Sequence, residues 1–256
     1  MGSAVSCQFV SHVILISLEV GDIRCMIVHQ RTFGEPSRWS SMRLVANTIT
    51  ADGQLFRRLT PTLTPHLPRS FLPTDPSSTV FTHTPPDSVP VLSDDRPALI
   101  VSSTSWTADE DFSLLLTALD SYQTSLTQNP SLPRLLVVIT GKGDLRSSFE
   151  RAVAIREADL WKDVAVRCIF LPARDYPTLL GCADLGVSLH TSSSGQDLPM
   201  KVVDMFGCGV PVLAKRFLCV GELVKDGQNG LVFDTGEELG LQMIVGITDS
   251  ALRSLS

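Results

Sequence analysis

The segment LHTSSSGQDLPMKVVDMFGCGVPV, residues 189–212, places His, Ser, Gly, Asp and Lys between two apolar runs. His190 stands at the end of an apolar run, where a buried strand would stay apolar. Ser193, Ser194 and Gly195 offer hydroxyl donors and free amides, and Asp197 precedes a helical stretch. Lys201 falls in the first turn of that helix, where the macrodipole disfavours a cation. A lysine there is easier to understand if it faces an anion. Asp204, three residues on, shares roughly the same face. Together the two could hold a diphosphate and a ribose diol, or simply form an intrahelical pair worth about 0.3 kcal/mol.

Two further segments carry similar residues. Gly141, Lys142 and Gly143 follow one strand and open a helix. Glycine lets backbone approach a ligand, and helix-start amides favour anions. The same residues also suit a tight turn. Neither the GxGxxG fingerprint nor the GxxxxGK[ST] loop is present, which disfavours a dehydrogenase and a P-loop NTPase. Glu222, in GELVKDGQNGLVF, opens a short helix and could take sugar or ribose hydroxyls.

The elements that position these residues alternate regularly from Arg96 onward. PALIVSSTS, PRLLVVITG, VAVRCIFLP, DLGVSLH, VPVLAK and GLVF are short apolar runs. Helical patterns separate them, the first being TADEDFSLLLTALDSYQ, with Phe112, Leu115, Leu116 and Leu119 on one face. Thr107 and Glu110 have capping-box spacing at its start. This alternation predicts a parallel α/β sheet with both faces covered. Ligands of such sheets bind beyond the carboxyl ends of the strands. Ser103, Gly141–Gly143 and His190–Gly195 all lie there.

The amino-terminal part reads differently. Residues 61–90 hold eight prolines among many Ser and Thr, so no regular element can run through them. Residues 1–95 are expected to be a poorly ordered segment without a recognisable domain. The apolar run CQFVSHVILISLEVGD is too short and polar for a membrane span and lacks the marks of a signal peptide. The net charge of −6, with no basic block, argues against nucleic acid. The six cysteines form no Cys-x-x-Cys pair and do not cluster with the five histidines, so no metal site is expected.

SSTSWTADEDFSLLLTALD, VVITGKGDL, DYPTLLGCADLGVSLHTSSSGQDLPMKVVDMFGCGVPV and GELVKDGQNGLVF together resemble the carboxyl-terminal half of the chitobiosyldiphosphodolichol beta-1,4-mannosyltransferases of the ALG family, over about residues 96–256. The resemblance implies the nucleotide-sugar-binding domain of a GT-B glycosyltransferase, working without a metal or other cofactor. It implies GDP-mannose as donor and dolichyl-diphosphate-chitobiose as acceptor. The setting would be the cytosolic face of the endoplasmic reticulum membrane, with association with other mannosyltransferases of the pathway. Asp204 takes the ribose-binding position. Lys142 and Lys201 become diphosphate contacts, helped by Ser103, Ser193 and Ser194. His190, Gly195 and Asp197 line the mannose end, and Glu222 lies nearby. Gln196 stands where related transferases carry their first acidic residue, which departs from their pattern.

Full-length relatives also carry an amino-terminal Rossmann domain that supplies acceptor contacts and the expected general base. Residues 1–95 do not resemble it, so an isolated chain that does not catalyse is expected. The alternative reading is a non-catalytic domain that binds a nucleotide sugar or a partner transferase, or a fragment.

Overall fold

The computed structural model describes residues 5–10, 13–20, 23–28, 57, 59, 62–63, 67–73, 75, 78–85, 87–88, 90–173, 175–191 and 198–248. Strands β1 (Val5–Val10), β2 (Val13–Val20) and β3 (Ile23–Val28) form an antiparallel sheet in the order β1-β2-β3. A two-stranded ribbon pairs β4 (Thr82–His83) with β5 (Val91–Leu92).

The remainder is one six-stranded parallel sheet. Its strands are β6 (Ala98–Ser103), β7 (Leu135–Thr140), β8 (Val164–Ile169), β9 (Leu185–Ser188), β10 (Val212–Lys215) and β11 (Gly230–Phe233). The connecting helices are α1 (Phe112–Gln128), α2 (Arg146–Asp159), α3 (Tyr176–Cys182), α4 (Met200–Gly207) and α5 (Val220–Leu223); α6 (Gly236–Thr248) follows β11. All six expected strands are present. Their order, β11-β10-β9-β6-β7-β8, is that of a doubly wound fold. The chain winds outward from β6 in one direction, then returns to its other side at β9. The two central strands therefore splay their following loops apart, and a crevice opens between them.

Period-two alternation divides each strand between two cores. Ala98 and Ile100 of β6, and Leu135, Val137 and Ile139 of β7, pack with Leu115, Leu119, Leu239 and Met243 from α1 and α6. Leu99, Val101, Leu136 and Val138 pack on the opposite face with Leu179, Leu180, Val202 and Met205 from α3 and α4. Burying each such side chain contributes about 1.5–3 kcal/mol, which explains the near-continuous apolar runs.

The proline-rich segment joins this second face. Leu63, Leu67, Phe71 and Phe81 are buried there, and Arg167 Nε donates to the carbonyl of Leu63 at 3.2 Å. Its described elements are helical residues 62–63, a three-residue 3-10 turn (Arg69–Phe71) and the β4–β5 ribbon, all short, consistent with the loss of backbone donors at proline. Apolar anchors between the prolines tie it down. Among the described residues, no helix is long and apolar enough to cross a membrane.

Candidate functional site

The crevice between β6 and β9 is walled by the loop after β6, residues 104–111, by His190 and Thr191 after β9, and by Lys201 of α4. The first wall corrects one sequence expectation. Thr107 and Glu110 do not form a capping box. Helix α1 starts at Phe112, and Asp111 is its cap, with Oδ1 accepting from the amide of Ser113 at 2.9 Å. Glu110 is instead a buried carboxylate, its side chain 3% exposed. It accepts from the hydroxyl of Thr104 and from the amide of Ser105, the latter at 3.2 Å. Its other oxygen receives Lys201 Nζ at 2.7 Å. A carboxylate so buried is stable only when paired and hydrogen-bonded. Its cationic partner lies 91 residues away and is invisible to a local motif.

Lys201 thus does not pair along its own helix with Asp204. The two residues have separate long-range partners. Asp204 lies near Tyr176 of α3, and burial raises its carboxyl above the ordinary range, with the Tyr176 hydroxyl pulling the other way. Burial also pushes the Tyr176 phenol up to about 12. The Tyr176 hydroxyl lies 2.9 Å from Ser103 Oγ, which accepts from Thr140 Oγ1 at 3.2 Å. Ser103 therefore sits 9% exposed within a hydrogen-bonded chain running Thr140–Ser103–Tyr176, with Asp204 near the phenol.

His190 joins the same wall. Its Nδ1 lies 3.1 Å from Asp109 Oδ2, which places the proton on that nitrogen. Residues 110 and 190 form an isolated antiparallel bridge. Thr191 donates from its amide and its hydroxyl to the Asp109 carbonyl, at 3.2 and 2.7 Å. The Asp109 carboxyl is held below the usual range by its hydrogen bond to Thr107 first, with the charges of His190 and Lys201 adding.

The glycines at 141 and 143 serve a different contact. A Cβ on Gly141 would lie 1.8 Å from the Thr104 carbonyl oxygen, and one on Gly143 would lie 2.3 Å from that of Ser105. Gly141 also has φ +143°, a conformation that L side chains rarely adopt. Both residues allow the β7 loop to press against the β6 loop. Lys142, between them, is exposed, its ammonium 3.8 Å from the centre of the Phe170 ring. Glu222 is exposed in the first turn of α5. Ser193, Ser194, Gly195 and Asp197 lie outside the described residues, as does Gln196.

Sequence reasoning passed over Asp109 and Glu110 as functional residues. The one available signal was three consecutive acids, Asp109–Asp111, ahead of an apolar helix. Only one of them caps it. A cavity of about 720 Å³ lies beside this cluster, lined by Arg216, Phe217, Val220, Lys225, Asp226 and Val232 among others. The ring of Phe217 meets His190 edge-on at 6.1 Å, so it stands between the cavity and the charged groups. The paired acids and bases, Asp109 with His190 and Glu110 with Lys201, belong to the crevice and not to this cavity's lining.

A doubly wound parallel sheet presents its ligand crevice at the switch point beyond the carboxyl ends of its strands, and here that crevice carries a cation. The chain belongs to the Glycosyl transferases group 1 family, whose profile matches residues 97–245. It is 56% identical over 149 residues to the human chitobiosyldiphosphodolichol beta-mannosyltransferase, covering 58% of this chain and 32% of that enzyme. The enzyme of the same name from Debaryomyces hansenii is 52% identical over 134 residues, covering 52% of this chain and 28% of the relative. An Arabidopsis thaliana protein named UDP-glycosyltransferase TURAN is 49% identical over 167 residues, covering 60% and 35%. The chain thus spans about a third of the length of the curated relatives it matches. Among solved structures, the pneumococcal O-GlcNAc transferase GtfA in complex with UDP and GlcNAc aligns with a TM-score of 0.49 at 13% identity, covering 62% of this chain and 30% of that one.

Proposed function

We propose that this chain holds GDP-mannose at the β6/β9 crevice and forms the donor side of an inverting β-1,4-mannosyl transfer. The acceptor in this reading is dolichyl-diphosphate-chitobiose, and the setting is the cytosolic face of the endoplasmic reticulum membrane. The observation that carries the proposal is Lys201. Its ammonium is fixed at the switch point of the sheet, within a stretch matched by the glycosyltransferase profile. The 56% identity to a named mannosyltransferase supports mannose and the dolichol-linked acceptor.

In this chemistry the acceptor hydroxyl attacks the anomeric carbon while the bond to the diphosphate breaks, so GDP departs with added negative charge. Lys201 neutralises that charge in the crevice, where water is partly excluded. Asp204 lies one turn further along α4 and accepts a ribose hydroxyl in place of the Tyr176 hydroxyl. A base must also take the acceptor proton. No described residue of the crevice is assigned that role.

Calorimetric titration of the 256-residue chain with GDP and with UDP tests the reading. GDP should bind, and more tightly than UDP. A folded chain that binds neither nucleotide sinks the proposal, and a preference for UDP moves the donor to the uridine class named for the Arabidopsis relative.

A further inference from the structure

Asp109 and Glu110 are consecutive, and each meets one basic side chain from across the crevice. Glu110 Oε1 receives Lys201 Nζ at 2.7 Å, and Asp109 Oδ2 faces His190 Nδ1 at 3.1 Å. The backbones are fastened as well, through the 110–190 bridge and the two bonds from Thr191 to the Asp109 carbonyl. Thr104 is drawn into the same assembly. Its hydroxyl donates to Glu110 and accepts from the Trp106 amide at 2.7 Å. Trp106 has φ +56°, a strained value for a bulky residue, and its ring is stacked on Phe112 at 4.5 Å. The loop is thus held in an uncommon backbone conformation that brings Thr104, Ser105 and Glu110 together.

Such an arrangement is more than a fold contact needs. An apolar pair would join the two loops without the cost of burying a carboxylate. Lys201, meanwhile, sits in the first turn of α4, where an unheld cation would swing away from the helix dipole. Its ammonium has three donors and gives one to Glu110. The side chain remains 26% exposed, so the other two stay within reach of a ligand in the crevice. Asp109 acts likewise on His190, fixing one ring nitrogen and the orientation of the other.

Resting on the donor-binding reading, we propose that Asp109 and Glu110 are the positioning residues of the donor site: Glu110 aims Lys201, and Asp109 aims His190, at the diphosphate of a nucleotide sugar. Neither acid touches the ligand. Each acts through the base it holds.

Removing a negative charge strengthens anion binding in general, so a single acid variant has no clear sign. A double-mutant cycle separates aim from charge. GDP affinity is measured by calorimetry for the full chain, Lys201→Ala, Glu110→Gln and the double variant, with thermal melts to verify folding. Lys201→Ala should weaken GDP about tenfold in the parent, in line with loss of one charge-assisted contact. In the Glu110→Gln background it should weaken GDP less than about threefold. Guanosine, which has no phosphate, should bind all four proteins alike. Glu110→Asp carries the cycle if Glu110→Gln does not fold, and Asp109→Asn with His190→Ala repeats it for the second pair. A tenfold loss in both backgrounds overturns the inference while leaving the donor reading standing. Absence of GDP binding by the parent chain removes both.

Discussion

Arg96 and Asp184 meet in a two-toothed ion pair at the amino-terminal edge of the sheet, Nη1 to Oδ2 at 2.7 Å and Nη2 to Oδ1 at 2.6 Å. Asp184 also accepts from the Leu99 amide at 2.8 Å. The pair locks the starts of β6 and β9, the two strands whose opposite ends frame the crevice. It is mostly buried, at 21% and 15% side-chain exposure, so solvent screens it less than a surface bridge. Asp184→Ala should cost about 2–4 kcal/mol, since it leaves the guanidinium without its counter-charge and the Leu99 amide without this acceptor. Urea denaturation of the two proteins measures this. A loss under about 0.5 kcal/mol would mean the pair is ornamental to the fold.

Gly141 and Gly181 provide a matched contrast. Gly141→Ala must place a Cβ against the Thr104 carbonyl oxygen at φ +143°, so the β6 and β7 loops have to separate. The expected cost is about 3 kcal/mol or more, with GDP binding lost alongside. Gly181 lies in α3 with nothing within 4 Å of its virtual Cβ. Gly181→Ala should therefore stabilise the chain by up to about 1 kcal/mol. Thermal melts of the two variants should move in opposite directions.

The Asp204 carboxyl titrates above the ordinary aspartate range because it is buried. A folded-state pKa raised above the unfolded value means that the native state binds the proton more tightly. Stability from this group is therefore greatest in acid and is lost as pH rises from the unfolded aspartate range through the folded value. Asp204→Asn removes the buried charge and keeps an acceptor for Tyr176. The variant should be more stable than the parent at pH 7, and this advantage should vanish below about pH 4, where the aspartate is protonated in both states. If Asp204 holds the ribose, the same variant should bind GDP more weakly, a trade of function against stability. Denaturation at the two pH values, with a GDP titration at pH 7, reads both effects.

Most of the sheet was legible because each strand is a short apolar run between turn residues, and burial on both faces demands that pattern. The crevice followed from topology: strand order puts Ser103 and His190 at adjacent strand ends whatever their side chains do. The partners of those side chains were not legible. The spacing of Lys201 and Asp204 suggested one shared task, but tertiary contacts send them to Glu110 and Tyr176. Thr107 and Glu110 match a capping box in spacing alone, and Asp111 takes the cap four residues after Thr107. Gly141 and Gly143 suited either close approach to a ligand or a tight turn, and the close approach seen is by another loop of the same chain. In each case a local rule was outweighed by a contact between segments tens of residues apart.

Lys142 and Lys201 were equal diphosphate candidates in the sequence, and the structure separates them. Lys201 is held by a buried carboxylate at the crevice, whereas Lys142 is exposed and rests on Phe170, itself 58% exposed. A stacked ammonium at an open rim keeps its hydration and loses little when removed. It can steer an anion from solvent without gripping it, an effect that fades within a Debye length of about 10 Å at 0.1 M salt. Lys142→Ala should therefore weaken GDP less than about threefold, and the difference should disappear at 0.5 M salt. Lys201→Ala should keep most of its roughly tenfold effect at that salt, since a partly buried contact is screened less. Calorimetry of both variants at low and high salt decides the order. A larger effect for Lys142→Ala would place the diphosphate over the β7 loop and away from α4.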